Sequence, residues 1–183
     1  RAYAPLHVVF KATGSQVWLL NDTLESREVN VEYGYKAFTG ESGVKQSKTV
    51  HIAPCSAKLV DKMDIGQDVD RQATFAFAEV FDENGQRIDR NRAFLVPLQE
   101  LKLPEDTMSS QITRLSPQTW QVTVSAKQFV WMVKIDADEN LRCSDNAFDL
   151  WPGESRTISV SVDNADPYLD LRIDNINRFL AKE

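Results

Sequence analysis

The strand pattern of this chain is clearest in residues 28–38, which read Glu28-Val29-Asn30-Val31-Glu32-Tyr33-Gly34-Tyr35-Lys36-Ala37-Phe38. Apolar side chains alternate with polar ones, and successive side chains of a β-strand point to opposite faces. One face of this segment is therefore predicted to be buried and the other solvated. The same period returns at 74–81, 120–126 and 157–162. After 74–81, Asn84-Gly85 is expected to supply the positive φ angles of a tight hairpin turn, with 92–97 as the returning strand.

Short strands and the absence of a long helical pattern before residue 166 predict an all-β protein. Proline and charge interrupt the pattern at 101–106, which marks a linker. We therefore expect two consecutive immunoglobulin-like antiparallel β-sandwiches, residues 1–104 and 105–183. Residues 166–183 leave two structures open, a strand followed by a tail, which we favour, and a helix. The helical spacing is that of Leu169, Ile173, Ile176 and Leu180.

Charge and composition exclude several function classes. The 183 residues contain 21 Lys and Arg against 27 Asp and Glu, which gives a formal charge of −6. A nucleic-acid surface needs a net basic face, so we expect no nucleic-acid partner. No run approaches 18 apolar residues, so we expect no membrane span. The chain opens at Arg1 without an initiator Met or a signal peptide, which we interpret as a processed or excised chain.

Metal and cofactor sites are not expected. The two cysteines, Cys55 and Cys143, are predicted to be buried small thiols, because His7 and His51 are the only histidines available to complete a zinc site. Three aspartates resemble a calcium loop in composition, but the Gly and the closing Glu are not correctly spaced. These aspartates are Asp64, Asp68 and Asp70. There is no phosphate loop and no dinucleotide fingerprint.

Catalytic motifs are incomplete. Two segments, Ser42-Gly43-Val44-Lys45 and Ser144-Asp145-Asn146, have the spacing of two β-lactamase motifs, but the following Lys-Thr-Gly is missing. His7 and His51 lie in strand-like runs and are interpreted as structural. Most carboxylates lie in turns, whereas Glu79 shares a predicted strand face with phenylalanines and is interpreted as an edge or interface position. We assign no catalytic residue.

Aromatic residues are the remaining binding candidates, because a flat ring can stack on a sugar. Trp18, Trp120 and Trp131 lie within strand patterns and are expected in the core. Trp151 precedes a Pro-Gly turn and is the first candidate for an exposed platform, although packing is favoured there too, and Tyr168 is the second. The Asn21-Asp22-Thr23 sequence is a glycosylation sequon, meaningful only if the protein is secreted by a eukaryote.

Three stretches, in this order, resemble the region that follows the catalytic barrel in family 2 glycoside hydrolases of the β-mannosidase type. The first is Tyr-Ala-Pro-Leu-His-Val-Val-Phe at 3–10 followed by Val-Trp-Leu-Leu-Asn-Asp at 17–22, and the second is residues 91–104. The third and most specific is Cys143-Ser144-Asp145-Asn146-Ala147-Phe148-Asp149-Leu150-Trp151-Pro152-Gly153-Glu154.

The resemblance implies a non-catalytic C-terminal fragment. In that family the acid/base glutamate, in an Asn-Glu pair, and the nucleophile glutamate lie in a TIM barrel, and this chain has no Asn-Glu pair. The implied partner is the barrel of the parent chain, and the implied compartment of such a parent is the periplasm, the cell exterior or the lysosome. The resemblance does not distinguish a parent enzyme that cleaves mannosides from one that cleaves glucosaminides. A carbohydrate-binding module and a protein-binding immunoglobulin-like pair remain as alternatives.

Overall fold

The computed structural model describes residues 5–41, 43–105, 107–137, 140–163 and 170–180. The chain divides into two compact units. The first comprises Arg1–Ala37 and Glu41–Lys102, and the second comprises Phe38–Gly40 and Leu103–Glu183. Each unit is a pair of antiparallel sheets, so the predicted all-β class with two consecutive sandwiches is confirmed.

Among the described residues, the first sandwich has seven strands. They are β1 Leu6–Lys11, β2 Gln16–Asn21, β3 Arg27–Ala37, β4 Lys45–Ile52, β5 Ser56–Lys62, β6 Thr74–Phe81 and β7 Arg87–Phe94. One sheet has the order β1-β2-β5 and the other β4-β3-β6-β7. A single 3₁₀ turn, Leu98–Glu100, follows β7.

The alternating face of β3 forms the centre of this sandwich. Val29, Val31, Tyr33 and Tyr35 are at most 4% exposed and pack with Ala76, Ala78 and Val80 of β6. The predicted buried face of residues 28–38 is therefore confirmed. Phe75 and Phe77, on the opposite face of β6, are also buried, at 0% and 4% exposure. A pattern of alternation alone does not predict a strand that is buried on both faces.

The β6–β7 hairpin differs from its prediction in two ways. Only Gly85, with φ of 75°, adopts a positive φ, and Asn84 does not. The amide of Gly85 donates to the carbonyl of Asp82 and the register shifts between Val80 and Phe81, so the turn is longer than a two-residue one. The returning strand runs from Arg87 to Phe94, so the predicted bounds of 92–97 are wrong.

The part of the second sandwich that the structure describes also has seven strands. They are β8 Met108–Ser116, β9 Thr119–Ala126, β10 Val130–Asp136, β11 Leu141–Cys143, β12 Phe148–Leu150, β13 Ser155–Val162 and β14 Arg172–Asp174, followed by α1 Asn177–Leu180. The sheet orders are β11-β13-β9-β8 and β12-β10-β14. The C-terminal segment thus forms both a short strand and a single helical turn, while Leu169 lies outside the described residues.

The core of the second sandwich comes from the alternating faces of β9, β10 and β13. Val122, Val124, Val133 and Ile158 are at most 1% exposed, and Trp120 is 6% exposed in the same cluster. The core position expected for Trp120 is therefore confirmed. Within the described ranges, no helix has the length and apolar character needed to cross a membrane.

Candidate functional site

The two histidines do not form a catalytic triad in the described part of the chain. His7 lies on β1, where its Nε2 is 3.8 Å from Asp22 Oδ2. His51 lies on β4 and is exposed. Neither imidazole hydrogen-bonds to a serine hydroxyl of the described residues, which the activation of a serine nucleophile requires. Ser42 of the Ser-x-x-Lys motif lies outside the described residues.

Glu79 and Glu32 form one close pair of carboxylates among the described residues. They are directly opposite each other on β6 and β3, and cross-strand partners have Cβ atoms about 5 Å apart. Glu79 Oε1 is 2.7 Å from Arg87 Nη1, and Glu32 Oε2 is 2.7 Å from Lys45 Nζ. Each carboxylate is therefore engaged with its own cation, whereas glycoside hydrolysis needs one of the two held as an acid in a desolvated pocket. The edge position predicted for Glu79 is wrong, because β6 lies between β3 and β7.

The prediction of two buried cysteines is also wrong. Cys55 is exposed in the turn before β5, with φ of 46°. Cys143 is half-buried against the second core, and burial raises the pKa of its thiol. No group of three or more potential metal-binding side chains occurs among the described residues. Asp70, one of the three aspartates that resemble a calcium loop only in composition, accepts a hydrogen bond from the Gln72 amide and lies 3.7 Å from Lys102 Nζ.

The stretch 143–154, the most specific part of the resemblance, ties strands of the second sandwich together. Asn146 acts as one rung of a sheet. Its Oδ1 accepts from the Ile135 amide at 2.8 Å and its Nδ2 donates to the Ile135 carbonyl at 2.9 Å. Ser144 pairs in the same way with Ser159, since the Ser159 amide donates to Ser144 Oγ and the Ser144 amide donates to the Ser159 carbonyl. Ser144 and Asn146 therefore satisfy backbone groups and are not a nucleophile and its helper.

The acidic residues of the same stretch have structural partners as well. Asp145 lies 2.9 Å from Arg156 Nη1, Asp149 Oδ1 accepts from the Met132 amide, and Glu154 Oε2 accepts from the Trp151 amide. Phe148 and Leu150 enter the core between them. The polar side chains of this segment thus hold β12 against its neighbours by satisfying backbone groups, because a buried backbone group without a partner is costly.

The sequon asparagine has a comparable role in the first sandwich. Asn21 is fully buried. Its Nδ2 donates to the carbonyls of Glu25 and Ala53, and its Oδ1 accepts from the amide and hydroxyl of Thr23. Both donors of its Nδ2 and both acceptor sites of its Oδ1 are used inside the fold, so the folded chain presents no glycosylation acceptor at this position.

The aromatic residues considered as sugar-binding platforms differ in how far they are exposed. Trp151, the first candidate platform, is 4% exposed and cannot present a ring face to a sugar. Tyr168, the second, and Tyr3 lie outside the described residues. The core position expected for Trp131 is wrong, because this residue is half-buried and outside the core cluster. The core position expected for Trp18 is wrong, because its half-buried ring lies outside the core on the solvent side of the β1-β2-β5 sheet.

The surroundings of Trp18 form a shallow apolar row across three strands. Val9 and Leu59 are its direct cross-strand neighbours, and both are half-buried. The indole Nε1 donates to Gln16 Oε1 at 3.2 Å, and Lys11 Nζ lies 4.4 Å from the ring centroid. Strand parity could have located this ring, because Trp18 shares its face with Gln16, whereas Val17 and Leu19 point to the core.

Two tyrosines of β3 have perturbed hydroxyls. The Tyr33 hydroxyl donates to Asp61 Oδ2 at 2.6 Å. Burial, followed by this hydrogen bond, raises the pKa of Tyr33 to about 12, and the same bond lowers the pKa of Asp61. The buried Tyr35 hydroxyl has no hydrogen-bond partner among the described residues. Burial, followed by the nearby Asp64 carboxylate, raises the pKa of Tyr35 to about 12.

Family models match both sandwiches in sequence order. Residues 13–100 match a mannosidase Ig/CBM-like domain, and residues 101–176 match a mannosidase-type Ig-fold domain.

The chain is a pair of mannosidase-type immunoglobulin-like domains. The expected resemblance is thereby confirmed, as is the immunoglobulin-like character of both sandwiches. A comparison with curated protein sequences finds no relative.

Solved structures share the fold of the domain pair. A β-D-mannosidase from Dictyoglomus thermophilum matches with a TM-score of 0.73 and 21% identity over 96% of this chain, which corresponds to 22% of the mannosidase chain. An exo-chitosanase from Amycolatopsis orientalis matches with a TM-score of 0.65 and 16% identity over 94% of this chain and 25% of its own. The chain therefore spans about a quarter of the length of these similar proteins.

Proposed function

We propose that this chain is the non-catalytic C-terminal region of a β-mannosidase-like exo-glycosidase, whose parent chain hydrolyses terminal β-D-mannosyl residues. The two domains buttress the TIM-barrel catalytic domain of that parent. The observation that carries the proposal is the consecutive match of two mannosidase-type domain models over residues 13–176. The engagement of Glu32, Glu79 and the motif carboxylates in structural contacts supports a non-catalytic role.

The first test is an activity assay on the purified chain with a chromogenic β-mannoside, beside a mock-purified control. We expect no turnover above the control. Turnover that exceeds the control would contradict the proposal and direct attention to carboxylates outside the described residues.

The supporting role is tested in the parent chain that contains this region. Asn177 is fully buried and bonds to the Trp131 amide and to the carbonyls of Phe129 and Pro104. Asn177→Ala should destabilise the second domain, so that β-mannosidase activity is lost faster on heating while kcat/KM at low temperature is unchanged. Gln86→Ala, an exposed change, is the control. An unchanged inactivation rate, in a variant whose second domain is shown to be destabilised, would refute the buttress.

Carbohydrate binding by the first domain is the second candidate, and the half-buried Trp18 ring on an open sheet face favours it. A pyranose ring would stack on the indole after displacing the Lys11 ammonium, an exposed contact worth about 0.5–1 kcal/mol. Calorimetric titration with mannobiose and longer manno-oligosaccharides should then give saturable heat. Trp18→Ala should abolish that heat and Lys11→Ala should tighten binding. Silence in the unsubstituted chain would reject this function.

A further inference from the structure

A cavity of about 310 Å³ opens on the outer face of the β12-β10-β14 sheet, within the second sandwich. Residues of β10 and β14 and the segment that follows β14 form most of its wall. Val133 and Ile135 of β10 belong to the core, so the alternate residues of the same strand that line the cavity point away from the core. Small-molecule sites typically have volumes of roughly 300–1,000 Å³. The cavity is therefore large enough for one small molecule.

Asn175 is the part of the cavity wall that points to a ligand. It is 2% exposed, and its Nδ2 has no hydrogen-bond partner among the described residues. Its Oδ1 accepts from the Arg178 amide at 3.3 Å, which identifies Nδ2 as the atom without a partner. A buried donor without a partner is unfavourable. The bond to Arg178 is longer than a usual N–H···O bond, so the amide can turn towards an acceptor that enters the cavity.

Charged side chains of β10 and β14 line the cavity in a balanced arrangement. Lys134 lies opposite Asp174 in the register of the two strands. Asp136 lies opposite Arg172 in the same register, and its Oδ2 is 2.8 Å from Lys134 Nζ. The hydrogen bond from Lys134 lowers the pKa of Asp136, so this carboxylate is ionised at neutral pH. Two cations and two anions thus balance, and the cavity has no formal net charge with which to select an ion.

The polar groups of the wall match a ligand with several hydroxyls. Carboxylates only accept hydrogen bonds, whereas lysine, arginine and the Asn175 Nδ2 only donate them. A hydroxyl is the neutral group that does both. Met132 and Ile176 add apolar wall, against which the C–H groups of a sugar ring can pack. A zwitterion such as an amino acid would instead have to separate Lys134 from Asp136 before its own charges were matched. A neutral saccharide therefore fits the cavity better than a charged ligand.

The backbone around the cavity is irregular as well. Met132 and Ala147 both line it, and both are non-glycine residues with positive φ, at 53° and 57°. The pairing of β10 with β12 shifts register between Val130 and Val133, which turns the Met132 side chain outwards. Such conformations persist only where the surrounding structure enforces them, and they are frequent at ligand sites. The position of these two residues is consistent with a binding site on this face of the sheet.

We infer that this cavity binds one neutral monosaccharide unit, whose hydroxyls bond to the aspartates of β10 and β14 and to the Asn175 amide. The site is separate from the surface around Trp18, which lies in the first unit. It does not depend on the proposed accessory function. No aromatic ring of the described residues lines the cavity, so binding rests on hydrogen bonds and is weak, with a dissociation constant on the order of 1 mM.

Two-dimensional ¹H–¹⁵N NMR of the full chain tests this inference by titration with D-mannose, D-glucose and D-galactose, each to about 50 mM, a range that spans millimolar affinity. At least one sugar should give saturable shifts, confined to amides of residues 132–136, 146–148 and 172–177. Glycine and acetate, the zwitterionic and anionic probes, should give none at the same concentration. Trp18→Ala should bind the sugar with unchanged affinity, which separates this site from the surface around Trp18.

Two variants assign the binding to the cavity. Asn175→Asp keeps the acceptor for the Arg178 amide but removes the donor, and should weaken sugar binding about tenfold. Lys134→Met, at an exposed position that tolerates substitution if the first variant folds poorly, removes the partner of Asp136 and should weaken binding several-fold. Lys127→Met, an exposed change of the same charge outside the cavity, is the control and should bind normally.

Three results would overturn the inference. The first is the absence of saturable shifts with all three sugars. The second is saturation by glycine or acetate in place of a sugar, which would assign the cavity to a charged ligand. The third is sugar binding that is unchanged in folded Lys134→Met, or shifts that saturate only outside the residues around the cavity.

Discussion

The outer strands of the two sandwiches satisfy their backbone groups in different ways. In the first sandwich, side chains of β4, β5 and β7 bond to backbone groups of the neighbouring edges. In the second, Asn146 and Asn177 bond to the inner strand β10, while the edge strand β8 stays open. The same sequence therefore contains a domain whose edge strands are bonded by its own side chains and a domain whose edge strand β8 is exposed.

The two domains therefore differ in how the backbone N–H and C=O groups of their edge strands are satisfied, and not in how their cores are built. Seven-stranded sandwiches of one family can have similar cores, yet differ in solubility and assembly through a few hydrogen bonds at their margins.

Removal of both side-chain hydrogen bonds to the backbone of Val8 should have the largest effect on the stability of the chain. Asp89→Ala with Asn91→Ala leaves the N–H and C=O of this buried residue without partners, and each such loss costs about 1–3 kcal/mol. The free energy of unfolding of the first domain should fall by about 2–4 kcal/mol in urea titrations. Gln86→Ala, on the same hairpin, should leave it unchanged. A fall below about 0.5 kcal/mol would show that Val8 is not capped in solution.

Alkaline pH should weaken the first domain selectively. The pKa values of Tyr33 and Tyr35 are about 12 in the folded chain and about 10 when unfolded. The unfolded state therefore loses these protons first, so their stabilisation is complete below pH 10 and is lost as the pH rises towards 12. The loss should be on the order of 2 kcal/mol for each hydroxyl. Absorbance at 295 nm and urea midpoints at successive pH values measure it, and the double Phe variant should show a flatter dependence.

The two tyrosines should respond differently to removal of the hydroxyl. Tyr33→Phe breaks the bond to Asp61 and should cost about 1.5 kcal/mol at neutral pH, because the acceptor is charged. Tyr35→Phe removes a hydroxyl without a described partner and should be neutral or stabilising. The depressed pKa of Asp61 means that the cost of Tyr33→Phe should shrink as acid protonates this carboxylate. Equal effects of the two variants would contradict the assigned hydrogen bonds.

Loss of one hydrogen bond from a lysine to an edge-strand carbonyl should have the smallest effect on stability. Lys48→Met retains the aliphatic stem but removes the bond to the Val60 carbonyl, so we expect about 0.5–1 kcal/mol from thermal unfolding. Lys62→Met, an exposed change on β5, is the matched control. Equal thermal stabilities of Lys48→Met and Lys62→Met would contradict the bond from Lys48 to the Val60 carbonyl.

The strands that sequence alone could locate are those with one buried face. Alternation located β3, β9 and β13, because their inward residues had to be apolar. The same rule could not find β8, whose exposed residues carry no periodic signal, nor the double burial of Phe75 and Phe77 on β6. Hydrophobic periodicity predicts a strand only when one of its faces is buried, so it cannot predict a strand that is exposed on both faces.

The role of individual polar residues was the least accessible to sequence analysis. The resemblance identified residues 143–154 as the most specific segment, but the rung formed by Asn146 and Ile135 depends on a contact across 11 positions of sequence. The exposure of Cys55 follows from a turn with positive φ that composition does not reveal. Trp18 was misplaced because its residue type was weighed above its strand parity.

The burial of Asn21 has a practical consequence for producing this protein. Eukaryotic secretory hosts attach glycans to Asn-x-Thr segments on the Nδ2 atom, and here that atom already donates to two carbonyls in a fully buried side chain. A chain that received a glycan at Asn21 could not complete the end of β2, and quality control would retain it. The yield of secreted protein from yeast or insect cells should therefore depend on the fraction of chains that fold before Asn21 is glycosylated. Expression in a bacterial cytoplasm avoids glycosylation of this residue.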